Sequence, residues 1–418
     1  MENRYIAHIT IEADTPLKVG SNSSDFLQDS PVQKDWNGLP MILGTSIAGV
    51  IRKDFKGNND KVFGNDNGSK VIFSNALLLD EKNEVNEGLL SDKSEFLQIF
   101  DNLPIREHTA ITDKGVAKDN SKFDEEVVYK GTKFKFSIEV LEDQKAFKDI
   151  IELLQSSSFR LGGGSTKGFG KFKILEIRTQ TFDKDSYVDY SSSLNHKLSN
   201  TQETKENKSE QYTTYTLKIT PDDFFMFGSG FGDSDADSTP IYEQVVDYKN
   251  AKLSNKQILI PTSSIKGALA HRTAYYYNLQ NKFFIGDDKA KTTIKEIFGE
   301  AKNSKQNIDG AKGKILISDC FKPNQKEVKI FDHVAIDRFT GGAIDGALFQ
   351  EKTIAQKDEW EIEILLEKKG IEEEYIKAFK CALDDICNGM LPLGGMTTKG
   401  HGVFIGELFI DGVKYEKN

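Results

Sequence analysis

The sequence predicts an α+β fold made of two tandem ferredoxin-like (RRM-like) domains, each with a protruding hairpin and a late Gly-rich loop. Three observations predict it. The run LGGGSTKGFGKF, Leu161 to Phe172, returns as LGGMTTKGHGVF, Leu393 to Phe404, offset without a gap by 232 positions (393 − 161). Each copy closes the same order of elements: strand, helix, strand, hairpin, strand, helix, Gly-rich loop, strand, which approximates βαββαβ. Between the copies, Thr179 to Gln211 is rich in Ser, Asn, Thr, Gln, Lys and Glu and shows no sustained apolar period, as expected of a linker. The expected division is therefore 1–180, a polar linker over 181–211, and 212–418.

The opening YIAHITIE, Tyr5 to Glu12, alternates with period two and reads as a strand, echoed by YTLKIT, Tyr215 to Thr220. The pattern G-S-x3-D-x3-D-S follows in both halves at a fixed offset of 208 (228 − 20). It pairs Gly20-Ser21, Asp25, Asp29 and Ser30 with Gly228-Ser229, Asp233, Asp237 and Ser238. Two aspartates on a polar segment can hold a metal, orient a water or make Asx turns. LPMILGTSIAGVIRKDF, Leu39 to Phe55, then pairs with ILIPTSSIKGALAHR, Ile258 to Arg272, at an offset of 218 (264 − 46). The increase places an insertion between Pro240 and Pro261. Thr45 or Ser46, and Ser263 or Ser264, are expected N-caps, and a helix N-terminus beside hydroxyls suits an anion.

Val71 to Leu79 and Ile315 to Phe321 read as the next strands. EHTAI, Glu107 to Ile111, matches DHVAI, Asp332 to Ile336, with His108 and His333 at the bases of two hairpins. These histidines read as orienting residues rather than catalytic ones. Strands at Phe134 to Val140 and Trp360 to Leu366 precede helices marked by Phe147, Ile150, Ile151 and Leu154, and by Ile376, Phe379, Leu383 and Ile386. In the loops that follow, several glycines in one run mean positive φ or a close approach, and Lys167 and Lys399 with free amides around them suit a phosphate. Neither loop has Walker spacing.

The formal net charge of −10 argues against general coating of nucleic acid but leaves room for a local basic groove. No run of 18 apolar residues is present, so no membrane span is expected. The start lacks the apolar core of a signal peptide, and Cys320, Cys381 and Cys387 have no zinc spacing; reduced thiols in a cytoplasm are expected.

Asp29-Ser30-Pro31-Val32-Gln33-Lys34-Asp35, Gly38-Leu39-Pro40 and Leu43 to Gly49 with Arg52 resemble a segment of the backbone subunits of type III CRISPR effectors, in the RAMP superfamily. Ile260 to Gly267, and HVAIDRFTGGA from His333 to Ala343, a thumb hairpin, extend the resemblance into the second half. It implies a tandem backbone subunit that stacks along a guide RNA with other type III subunits, its thumbs (His108; His333, Arg338) kinking the guide. It also implies metal-dependent endoribonuclease activity on the paired target RNA at Asp29 and Asp237, with Mg²⁺ or another divalent ion of unspecified ligands. The implied chemistry is attack by the target ribose 2′-OH, leaving a cyclic phosphate and a 5′-OH. Guide RNA is expected to pass both Gly-rich loops (Lys167, Gly168, Gly170; Lys399, Gly400, Gly402) and both helix starts (Ser46, Arg52; Ser264, Lys266). The chain departs from the family pattern at Ala48, at Thr239-Pro240 and at Ala270. Three alternatives stand beside this reading: a precursor guide-RNA endonuclease, a non-catalytic guide-RNA scaffold, and a small-ligand sensor.

Overall fold

The computed structural model describes residues 3–416 apart from 22–30, 66–67, 113–115, 120, 286, 288 and 301–308, and, within a helix, the side chains of 291–293. The first half runs β1 (Arg4–Ala13), α1 (Gly44–Asp54), β2 (Val71–Phe73), β3 (Ile105–His108), β4 (Phe123–Glu126), β5 (Lys133–Leu141), α2 (Gln144–Leu154), β6 (Phe172–Phe182) and β7 (Asn200–Gln202). The second runs β8 (Tyr212–Pro221), α3 (Thr262–Gln280), β9 (Ile315–Ile317), β10 (Val328–Ile336), β11 (Ala343–Ile354), β12 (Trp360–Glu367), α4 (Glu373–Cys387) and β13 (Phe404–Ile410).

Both sheets follow from strict alternation. In β5, Phe134, Phe136, Ile138 and Val140 are fully buried while the residues between them are half-exposed. In β8, Tyr215, Leu217 and Ile219 do the same. The strand order is β2-β5-β1-β6 in one half and β9-β12-β8-β13 in the other, with every neighbouring pair antiparallel. This is the ferredoxin-like arrangement, made twice. The helices bury the stripes read from the sequence: Ile47 and Ile51 in α1, Phe147, Ile150, Ile151 and Leu154 in α2, and Phe379, Leu383 and Ile386 in α4. Burying each such side chain fully stabilises the fold by about 1.5–3 kcal/mol.

Three features differ from the sequence expectations. The hydroxyls of Thr45, Ser46, Ser263 and Ser264 do not cap their helices: the N-cap positions are Leu43 and Pro261, with no side-chain cap bond. The first free amides are instead satisfied from across the chain. Gly44 N donates to Asn75 Oδ1 at 2.9 Å, and Thr262 N donates to Asp319 Oδ1 at 2.9 Å. Asn75 and Asp319 each stand two residues past the equivalent strands β2 and β9, so one device is used in both halves.

The stretch expected to be a flexible linker has structure of its own. β7 pairs with β6, and Leu194 and Leu198 are buried, Leu198 against Ile6 and Phe182. Two isolated leucines in a polar run give no period, which is why the sequence read as coil. The insertion between Pro240 and Pro261 is an arm on the first half. Val246 and Tyr248 join the first core, Val246 N donates to Lys130 O at 2.9 Å, and the Tyr248 hydroxyl donates to Leu79 O at 2.9 Å.

Candidate nucleic-acid interface

Each half carries the same cluster where its hairpin meets its Gly-rich loop. In the first, β3 and β4 pair with His108 opposite Phe123 and Arg106 opposite Glu125. In the second, β10 and β11 pair with His333 opposite Phe349 and Phe331 opposite Glu351. His108 stacks on Phe123 with ring centroids 5.1 Å apart, and His333 on Phe349 at 4.7 Å. The loop lysine covers the same ring: Lys167 Nζ lies 4.8 Å from the Phe123 centroid, and Lys399 Nζ 4.3 Å from that of Phe349. His, Phe and Lys thus form one stacked unit, built twice.

A buried glutamate anchors each unit. Glu125 is ion-paired with Lys18 and with Lys167 at 3.7 Å, and His108 Nε2 lies 3.3 Å from its other oxygen. Burial opposes its ionisation, but the contacts with His108 and Lys18 and the charge of Lys167 outweigh burial and hold the pKa at about 2. Glu351, fully buried, is hydrogen-bonded to His401 Nε2 at 2.8 Å, and His333 Nε2 lies 3.1 Å from the same oxygen. The sequence reading missed both glutamates, together with Phe123, Phe349 and His401. The available signal was the offset of 226 (351 − 125), one more than the offset between the histidines, because the two hairpins differ in length by one residue.

The two Gly-rich loops have different surroundings. Gly168, at φ 116°, packs so closely that a Cβ would lie 2.0 Å from Asp319 Oδ1 and 2.7 Å from Thr262 Oγ1. The first loop therefore sits on the start of α3, where Asp319 N also donates to Gly168 O at 3.1 Å and Lys266 Nζ donates to Thr166 Oγ1 at 3.1 Å. Burial, reinforced by Lys167, lowers the Lys266 pKa to about 8. Gly400, at φ 93°, faces open space. Gly170 and Gly402 are matched turn positions against Leu161 O and Leu393 O.

Of the other expected residues, Ser46 and Ser264 are exposed on the first turns of α1 and α3. Arg52, exposed at the far end of α1, pairs with Asp60 at 3.3 Å. Arg338 is exposed at the tip of the second hairpin, in a turn tied by Asp337, whose Oδ1 accepts from Phe339 N at 2.9 Å. Phe339 beside it is 99% exposed.

Asp29, with Asp25 and Ser30, lies outside the described residues. Asp237 is exposed, and its Oδ2 accepts from Gln350 N at 2.8 Å, which ties its loop to β11. Asp233 and Asp235 both bind the Lys352 ammonium, at 2.5 and 3.0 Å. Among the described residues, no group of three or more His, Cys, Asp or Glu is arranged to hold a metal ion. The second-half aspartate loop, already holding an ammonium, does not fit a divalent ion.

The chain thus carries a duplicated ferredoxin-like fold with paired lysines stacked at the base of paired hairpins. The chain belongs to the RAMP superfamily, whose family model matches residues 10–173 and 225–405. Members of this superfamily bind CRISPR RNA within multi-subunit complexes, and some are RNases. The chain is accordingly a CRISPR-associated RNA-binding protein with two RAMP domains. No curated protein matches it. Among the described residues, no helix is long and apolar enough to cross a membrane.

Proposed function

We propose that the chain is a guide-RNA-binding backbone subunit of a type III CRISPR interference complex, acting in antiviral defence, and that it cleaves complementary target RNA once per half. The observation that carries this reading is the stacked His-Phe-Lys unit, present at the same place in both halves. Two equivalent units on one chain favour two equivalent stations along a strand. The lysines neutralise phosphates, and the hairpins beside them set the path of the guide.

At the second station, Asp237 is the group available to accept the proton of a target ribose 2′-OH. The 2′ oxygen then attacks the adjacent phosphorus and the P–O5′ bond breaks. A cyclic phosphate and a 5′-OH result, the latter taking up a proton. Asp29 has the same role at the first station. In the second half the Lys352 ammonium already occupies Asp233 and Asp235, and the proton is taken by Asp237 itself.

The test is to assemble the complex with guide, partner subunits and end-labelled target RNA, and to map the products. Asp29→Ala is expected to remove one cut and Asp237→Ala its neighbour, with target binding retained. An unchanged ladder from the double variant overturns the cleavage role and leaves a guide-RNA scaffold.

A further inference from the structure

One matched position of the two hairpins carries opposite charges, Glu126 in the first half and Lys352 in the second. It follows Glu125 and Glu351, which match in the shared register. Both side chains turn to the loop beside them. Glu126 Oε2 accepts from Val32 N at 2.7 Å, whereas Lys352 Nζ bridges Asp233 and Asp235. Lys352 is largely covered, with 12% of its side chain exposed, and its backbone N donates to Ser238 O at 2.9 Å. The loop bearing Asp233 to Ser238 is therefore held from both the backbone and the side chain of one residue.

We propose that Lys352 is the built-in cation of the second-half aspartate loop: it positions the segment carrying Asp237 and excludes divalent ions from it. A divalent ion such as Mg²⁺ or Mn²⁺ seeks the carboxylate oxygens that the ammonium already holds. Two cations competing for oxygens within 3.0 Å of one nitrogen would also repel each other strongly. At the equivalent position the first half has a carboxylate instead of a lysine. This inference concerns ion binding by the chain itself and stands whether or not target RNA is cut.

The experiment is Mn²⁺ binding to the full chain without RNA, with bound and free ion separated by electron paramagnetic resonance. In the wild type, replacing both Asp233→Asn and Asp235→Asn should leave the number of Mn²⁺ sites unchanged. Lys352→Glu, which copies the first half, should gain one site, and adding the two Asn substitutions should abolish it. Lys352→Arg should keep the loop closed, and Lys352→Met serves in place of Lys352→Glu should that variant fail to fold. Loss of a wild-type site on removing Asp233 and Asp235 overturns the proposal. So does the absence of any gained site in folded Lys352→Glu and Lys352→Met chains.

Discussion

Arg106, on the first thumb, donates from Nη1 to Asp319 Oδ2 at 2.7 Å, with both side chains buried. Asp319 uses its other oxygen to hold Thr262 N and Thr262 Oγ1, at 2.9 and 3.0 Å. Arg106 is also ion-paired with buried Glu243. One carboxylate therefore fixes the start of α3 and ties the second half to the thumb of the first. The matching positions in the repeat are Phe331 for Arg106 and Asn75 for Asp319, so among the described residues this joint is made once.

Removing Arg106 alone leaves two buried carboxylates without their cation. Arg106→Ala is expected to cost about 3–5 kcal/mol, the range for breaking a buried pair from one side. Replacing the group together, as Arg106→Met with Glu243→Gln and Asp319→Asn, should cost less. Urea unfolding of the full chain measures both; a loss below about 1 kcal/mol in Arg106→Ala would mean that the pair behaves as an exposed one.

Glu125 makes the base of the first thumb sensitive to acid. Its folded pKa of about 2 lies below the ordinary 4.5, so the stability it contributes is fully present above 4.5 and is lost as pH falls through 2. The shift corresponds to about 3 kcal/mol at neutral pH. The stability difference between the wild type and Glu125→Gln should shrink as pH drops from 4.5 towards 2, followed by denaturant unfolding at each pH. A difference independent of pH over that window would show that the carboxylate charge does not act there.

Tyr248 anchors the arm that the second half lays on the first. The residue is 9% exposed, and its ring packs edge-on to Phe96, 4.9 Å between centroids. Tyr248→Ala should cost about 3–5 kcal/mol and expose the arm to limited proteolysis between 241 and 258. Retained resistance in that segment would mean that the backbone bond from Val246 holds the arm without the ring.

What the sequence made legible is the part built from local patterns. Alternation in β5 and β8, the helical stripes at Phe147 to Leu154 and Ile376 to Ile386, and the repeated Gly-rich loop each lie within one short window. What it concealed depends on residues far apart. Asn75 and Asp319 satisfy helix starts 31 and 57 positions away, so Thr45 or Ser46, and Ser263 or Ser264, looked like the caps. Arg106 meets Asp319 across 213 positions, and nothing near either residue announces the pairing. Glu125 and Glu351 were obscured by a one-residue difference in hairpin length, and the arm by its own polar composition. Of the candidate site, the loop lysines and thumb histidines were legible, and the phenylalanines between them were not.

The loop lysines should act on RNA through charge. Lys399→Ala and Lys167→Ala are each expected to weaken guide-RNA binding alike for all sequences. Each should also reduce the slope of log affinity against log salt by about 0.7 for every phosphate no longer neutralised. Filter binding across a salt series reads both effects. Binding and slope unchanged in the double variant would reduce the two loops to turns.

The most direct test of the central claim is hydroxyl-radical footprinting of the guide RNA in the assembled complex. Two stations on one chain should protect two stretches of guide, one guide period apart. Lys167→Ala should weaken the first stretch and Lys399→Ala the second, each leaving the other intact. A single protected stretch, or the disappearance of both stretches from either substitution alone, would contradict the account.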